Sequence, residues 1–210
     1  MIWSLIKSFY CLDTDTSIGR WDKCVDEFIK VGITYVERRL GTEQENRYLS
    51  FNQAHYDAIK AGYDTCEPFC IFENDVVFDD KHWKRMEEAT AQLPKDWDLL
   101  YLGANITGYP GADWQMPQKV SDNILRLYNA WQTHAIVYSN KMAKWVIDNF
   151  DPKTFPVYDE WLRINVMPQF NVYLISPMIC FQRPGYSVLN RADVAYGCHK
   201  EGNNWIKENL

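Results

Sequence analysis

The feature that most constrains this chain is a wholly apolar run, Phe69-Cys70-Ile71-Phe72. A strand with one face in water alternates apolar and polar residues. An unbroken apolar run implies cover on both faces, as in the parallel sheets of α/β proteins. Similar short runs recur at Leu99 to Leu102, Ala135 to Tyr138 and Asn171 to Ile175. Between them lie stretches with helical spacing. Trp21, Cys24, Val25 and Phe28 form one, closed by Gly32. Phe51, Ala54, His55 and Ala58 share a face in a second helix, expected from about Glu45 to Ala61 with Gly62 as its stop. Asp79 or Asp80 is expected to cap a third, and Ser139 a fourth carrying Met142, Ala143, Val146 and Ile147. Ile2 to Phe9 and Ile33 to Val36 read as further strands. Strands alternating with helices predict an α/β fold with a mostly parallel, covered sheet.

The 210 residues suffice for one domain spanning 1–210, with a sizeable core. No repeat, linker or low-complexity stretch divides them. Residues 104–132 are irregular, broken by Gly108, Pro110, Gly111 and Pro117, and read as an active-site loop. Asn105, Thr107 and Trp114 lie within it as candidate contacts to a ligand. A net charge of −6 supplies no general field for nucleic acid or anionic membrane. The six cysteines show no zinc spacing and no disulfide framework, so reduced thiols are expected. No run reaches membrane length, and the apolar start is interrupted by Ser4 and Lys7. A cytoplasmic protein without a transmembrane segment is the expectation.

Ligands of open α/β sheets bind beyond the carboxyl ends of the strands. The run at Phe69–Phe72 delivers Glu73-Asn74-Asp75 to that place. Two carboxylates and an amide form an all-oxygen set that suits Mg²⁺ or Mn²⁺. Were the ligand a nucleotide diphosphate, carboxylates alone would repel it, and a divalent cation between them would be required. Such an ion stabilises the diphosphate as it leaves.

Phe69 to Phe78, with its acidic centre, resembles the strand and Glu-Asp-Asp-Val element of glycosyltransferase family 25, the lipooligosaccharide and procollagen galactosyltransferase group. Further similarities follow in order. Arg20 resembles the arginine after the family's first strand, and Gly32 to Arg38 its second strand. The helix Ser50 to Ile59, with His55, resembles the one before the acidic motif. Trp97-Asp98-Leu99-Leu100-Tyr101-Leu102-Gly103 is close to a recurrent family element. Thr133-His134-Ala135, followed by Ser139 and Ala143, resembles another. Pro177 and Pro184-Gly185-Tyr186-Ser187 fall where late motifs are expected.

The resemblance implies a GT-A-like fold and an inverting, metal-dependent glycosyltransferase. The donor would be a nucleotide-diphospho-sugar, a UDP-sugar first, and the acceptor a hydroxyl on a glycan, protein or other polymer. Asp75 would bind the metal directly. Glu73 would bind it through water or contact the donor, with Asn74, Arg20 and His134 also on the donor side. His199 would be a late metal ligand, and His55 would support the acidic run. Inversion needs a base for the acceptor hydroxyl. Asp159 or Glu160, opening a helix after Pro156, resembles the acid that GT-A enzymes place there. One departure stands out: Asn74 occupies a position where the family usually has an acid. Two competing functions follow, a non-catalytic relative that binds nucleotide-sugar or glycan, and a transferase acting on modified nucleic-acid bases.

Overall fold

The computed structural model describes residues 3–14, 19–41, 45–106, 115–187, 189–190 and 192–194. Strands are β1 (Ser8–Asp13), β2 (Glu37–Leu40), β3 (Phe69–Glu73), β4 (Val76–Phe78), β5 (Leu99–Tyr101), β6 (Gln118–Lys119), β7 (Ile124–Arg126), β8 (Ala135–Tyr138), β9 (Val172–Ile175), β10 (Cys180–Gln182), β11 (Gly185–Ser187) and β12 (Ala192–Val194). Helices are α1 (Arg20–Lys30), α2 (Arg47–Tyr63), α3 (Met86–Gln92), α4 (Asn140–Asn149) and α5 (Tyr158–Asn165).

Among the described residues, one sheet has eight strands in the order β2-β1-β3-β8-β5-β9-β7-β6. β1 is parallel to β2 and β3, and β5 to β9. β8 runs against β3 and β5, and β7 against β9 and β6. Six strands therefore point one way and only β7 and β8 are reversed, the mostly parallel mixed sheet expected from the apolar runs. Two antiparallel pairs, β4 with β10 and β11 with β12, lie outside this sheet.

The run at Phe69–Phe72 is apolar because both faces are packed. Phe69 and Ile71 enter one cluster with Ala58 and Ile59 of α2, Met142 and Val146 of α4, and Tyr158 and Leu162 of α5. Cys70 and Phe72 enter another with Cys24 and Phe28 of α1 and Met86 and Ala89 of α3. Helices thus cover the sheet on each side. Cys11, Cys24, Cys70 and Cys180 are buried free thiols, and Cys66 is an exposed one.

Four local expectations are corrected. β1 begins at Ser8, not Ile2. Trp3 instead packs in a turn, its indole N–H donating to Val31 O at 2.8 Å. β2 is Glu37–Leu40 rather than Ile33–Val36, because it is an edge strand that carries charged side chains facing solvent. Gly62 does not stop α2, which runs to Tyr63. A Cβ there would lie 2.4 Å from the Phe69 ring, so the glycine allows the helix to approach β3. Within the irregular stretch, residues 118–119 and 124–126 form β6 and β7.

Candidate active site

The carboxyl ends of β1, β3 and β5 share one edge of the sheet. Because β8 is reversed, its amino end reaches the same edge, where the Glu73 N–H donates to His134 O at 3.0 Å. Gly103 sits just beyond β5 in close contact. A Cβ at this position would meet Cys180 O at 2.0 Å and His134 Nε2 at 2.8 Å. His134 is buried here.

After β3 the chain turns through Asn74 and Asp75 into β4. Asn74 is held on two sides. Its Nδ2 donates to Asp13 Oδ1 at 2.6 Å, and its Oδ1 accepts from an Arg20 guanidinium N–H at 3.1 Å. A carboxylate only accepts and a guanidinium only donates, so the amide orientation is fixed. Asp13 ends β1, and its other oxygen takes two N–H groups of Arg38, Nε at 2.8 Å and a terminal nitrogen at 2.6 Å. Arg38 lies over the Trp21 ring at 5.2 Å. Arg20 opens α1 and also donates to the Tyr186 carbonyl in β11. Arg39 pairs with Glu37 at 2.8 Å and lies over Tyr10, on the outer strand.

Asp75 is the least compensated carboxyl of the group. Its Oδ2 accepts from Gln182 Nε2 at 3.0 Å. Its Oδ1 is buried and has no hydrogen-bond partner among the described residues. Burial, then the Glu73 charge, push it up to about 7, against the opposing charge of Arg20 and the Gln182 bond.

Glu73 is arranged differently. The Thr133 hydroxyl donates to Glu73 Oε1 at 2.6 Å. His55 Nε2 lies 3.3 Å from the same hydroxyl and 3.6 Å from the carboxylate oxygen. Thr133 has one proton and gives it to Glu73, so His55 must carry its proton on Nε2 and donate to Thr133. His55 Nδ1 is buried without a hydrogen-bond partner among the described residues. Burial raises the Glu73 carboxyl, but His55 and the Thr133 hydroxyl outweigh it and hold the group below its ordinary value.

Asp159 approaches from the other side. It lies in the first turn of α5, with Glu160 N–H on Oδ1 at 2.8 Å. Burial raises its proton affinity and the Glu73 charge adds to this. The N–H groups of Glu160 and Gln132, and His55, oppose it. Gln132 presents its N–H from a left-handed backbone, φ +72°. α5 is anchored by Asn52 of α2, whose Oδ1 accepts the Tyr158 N–H at 2.8 Å while Nδ2 donates to Thr154 O at 3.0 Å.

The structure therefore brings together Glu73, Asn74, Asp75, Arg20, His134 and Asp159. Glu160 is drawn away to Arg163, which donates to both its oxygens at 2.7 and 2.8 Å. Asn105 pairs through its backbone with Trp131. His199, Thr107 and Trp114 lie outside the described residues. Asp13, Asn52 and Gln182 belong to the site and were not singled out from sequence, and Thr133 was named only within the Thr133-His134-Ala135 segment.

Donor chemistry fits a hard cation in part. Glu73 and Asp75 offer oxygens at the carboxyl end of β3, and Asp75 Oδ1 is a buried acceptor lacking a described donor. Among the described residues, no group of three His, Cys, Asp or Glu side chains gathers to hold a metal. The protein would supply two ligands from this turn, leaving the other positions to diphosphate oxygens, water or residues not described.

No helix among the described residues is long and apolar enough to cross a membrane. No protein-family model matches the chain, and no curated protein matches it. Among solved structures, the chain is similar to a glycosyltransferase involved in the glycosylation of the major capsid of PBCV-1. The identity is 12%, with 80% of this chain and 81% of that one covered and a TM-score of 0.47. A candidate glucose-1-phosphate thymidylyltransferase from Bacillus anthracis, in complex with a sucrose, gives 11% identity, 97% and 96% coverage and a TM-score of 0.45. HddC from Yersinia pseudotuberculosis, complexed with GMP-PN, gives 12%, 77% and 68%, and 0.34. All three fall below a TM-score of 0.5, so the functional reading rests on the side chains.

Proposed function

We propose that the chain is a metal-dependent glycosyltransferase that moves a sugar from a nucleotide-diphospho-sugar, a UDP-sugar first, to an acceptor hydroxyl. The observation that carries this is Asp75. It is a carboxyl at the carboxyl end of β3, raised to about 7 beside Glu73, with a buried oxygen that no described group satisfies. Such strain suits a site completed by a cation. The ordered resemblance to glycosyltransferase family 25 supports the same reading.

A bound Mn²⁺ or Mg²⁺ would supply charge neutralisation to the diphosphate as it departs. The remaining work falls to the chain. Asp75 and Glu73 are the residues to hold the ion, with Thr133 and His55 fixing the Glu73 carboxylate. Arg20 binds diphosphate oxygens at the start of α1, where the helix amino end also favours an anion. Asp159 takes the proton of the acceptor hydroxyl as that oxygen bonds to the anomeric carbon. The bond from that carbon to the donor phosphate breaks, and its electron pair leaves with the diphosphate. A carboxylate with raised proton affinity is the better base. Inversion follows from a single displacement.

Hydrolysis or transfer of UDP-sugars tests this, with Mn²⁺, with EDTA and with Asp75→Ala. Activity is expected to need the metal and to fall by about 10²-fold or more in the variant. Full activity in Asp75→Ala would remove the basis of the reading.

A further inference from the structure

Asn74 stands where the resembling family carries an acid. We propose that Asn74 is a positioning residue that holds Arg20 in the site, not a weakened metal ligand. This rests on the reading of the site as one for a nucleotide-sugar diphosphate.

The geometry explains why an amide is needed. The side chain at 74 must touch a carboxylate on one side and a guanidinium on the other. Asn74 donates to Asp13 Oδ1 at 2.6 Å and accepts from Arg20 at 3.1 Å. Only a group with a donor and an acceptor at one tip can do both. Asn74 and Asp13 are both buried, so water does not screen what faces them. A carboxylate at 74 would confront the Asp13 carboxylate at hydrogen-bond distance with no proton between them, and two such groups do not both ionise.

The negative charge beside Asn74 lies on Asp13, where Arg38 neutralises it. Arg20 is then held by the Asn74 amide and the Tyr186 carbonyl, two neutral acceptors. Among the described residues no carboxylate contacts it directly, and its charge acts on Asp75. A guanidinium so placed keeps its positive charge for an anionic ligand. The cation-binding turn has one acid fewer, and a fixed arginine stands beside it.

The test compares wild type, Asn74→Asp and the swap Asp13→Asn/Asn74→Asp. Thermal midpoints are read without ligand, and Mn²⁺ alone and UDP with Mn²⁺ are titrated by calorimetry. Asn74→Asp should lower the midpoint by about 5 °C or more and weaken UDP by about 10-fold. In the swap, Asn at 13 can donate to the carboxylate at 74 and accept from Arg38, while that carboxylate accepts from Arg20. Midpoint recovery in the swap supports the bridge. A swap no better than Asn74→Asp overturns it, even where Asn74→Asp alone fails to fold. So does an Asn74→Asp chain with an unchanged midpoint and tighter Mn²⁺ binding. Action through Arg20 is read from Asn74→Ala, Arg20→Ala and their combination. The double variant should bind UDP no worse than Arg20→Ala alone, and additive losses overturn positioning. A wild-type chain that binds no nucleoside diphosphate overturns the glycosyltransferase reading instead, and the midpoints still decide the bridge.

Discussion

Asn52 Oδ1 accepts the backbone N–H of Tyr158 at 2.8 Å, so a residue in the middle of α2 caps the start of α5. Val157, at the N-cap of α5, provides no side-chain acceptor of its own. The same amide donates to the carbonyls of Thr154 and Pro156. Asn52→Ala should cost about 2 kcal/mol, because it removes a cap and leaves the buried Tyr158 N–H without its acceptor. It should also lower kcat, since Asp159 sits one residue into the helix that loses its anchor. Urea unfolding and steady-state kinetics check the two effects. Wild-type stability in Asn52→Ala would show that the cap is dispensable.

Thr133 gives its only proton to Glu73. Thr133→Val removes a hydrogen bond to a charged group and should cost about 1.5–3 kcal/mol, whereas Thr133→Ser should lose well under half of that. In both variants the His55 proton should stay on Nε2, which still faces the Glu73 carboxylate at 3.6 Å, visible as an unchanged imidazole tautomer by ¹⁵N NMR. An Nδ1–H tautomer in wild type or in the serine variant would contradict the assignment.

Asp75 carries a stability cost that depends on pH. Its folded value is raised to about 7 from an ordinary value near 3.8. The folded state therefore holds this proton more tightly than the unfolded chain. Stability contributed by the neutral carboxyl is present below pH 4 and is lost as pH rises towards 7. Asp75→Asn should be more stable than wild type at pH 8 in EDTA, by on the order of 2–4 kcal/mol, and nearly equal at pH 4. Denaturant unfolding at both pH values measures this. Equal stability at pH 8 would mean that Asp75 is not strained.

Asp159 and Glu160 should separate cleanly. Asp159→Asn is expected to reduce kcat by about 10²–10⁴-fold with UDP affinity retained. In wild type, kcat/KM should fall on the acid side, because the raised Asp159 carboxyl takes up a proton above its ordinary range. Glu160→Gln should keep activity within about threefold and lose at most ~0.5 kcal/mol, as its pair with Arg163 is partly exposed. A larger loss in Glu160→Gln than in Asp159→Asn would reverse the assignment of the base.

Gly103→Ala places a methyl group against the Cys180 carbonyl and the His134 ring. The backbone cannot yield as a flexible side chain would, so a cost of about 1–3 kcal/mol is expected. Thermal unfolding would detect it, and an unchanged midpoint would show that β5 and β10 can part.

Elements whose own residues announce their surroundings were legible in the sequence. β3 and β8 could be read from unbroken apolar runs, and α4 from Ser139, which accepts the Met142 N–H at 3.1 Å. β2 was misplaced because an edge strand is chosen by its neighbour, not by β-branched residues, and Glu37-Arg38-Arg39-Leu40 carries no strand pattern. Gly62 looked like a stop because its partner, Phe69, belongs to another element. In the site, Glu73 and Asp75 were visible from their place after a strand. Asp13, Thr133 and Gln182 were not, since each acquires its part from a partner 60 or more positions away. Local periodicity does not contain such pairings.

The reversal of β8 has a consequence for how the site is assembled. Thr133 and His134 precede the strand, so they reach the site at the end of the connection from β5 instead of at the start of a crossover helix. One half of the site is set by where strands end and the other by where a strand begins, and the two halves meet across the antiparallel pair of β3 and β8, where Thr133 reaches Glu73.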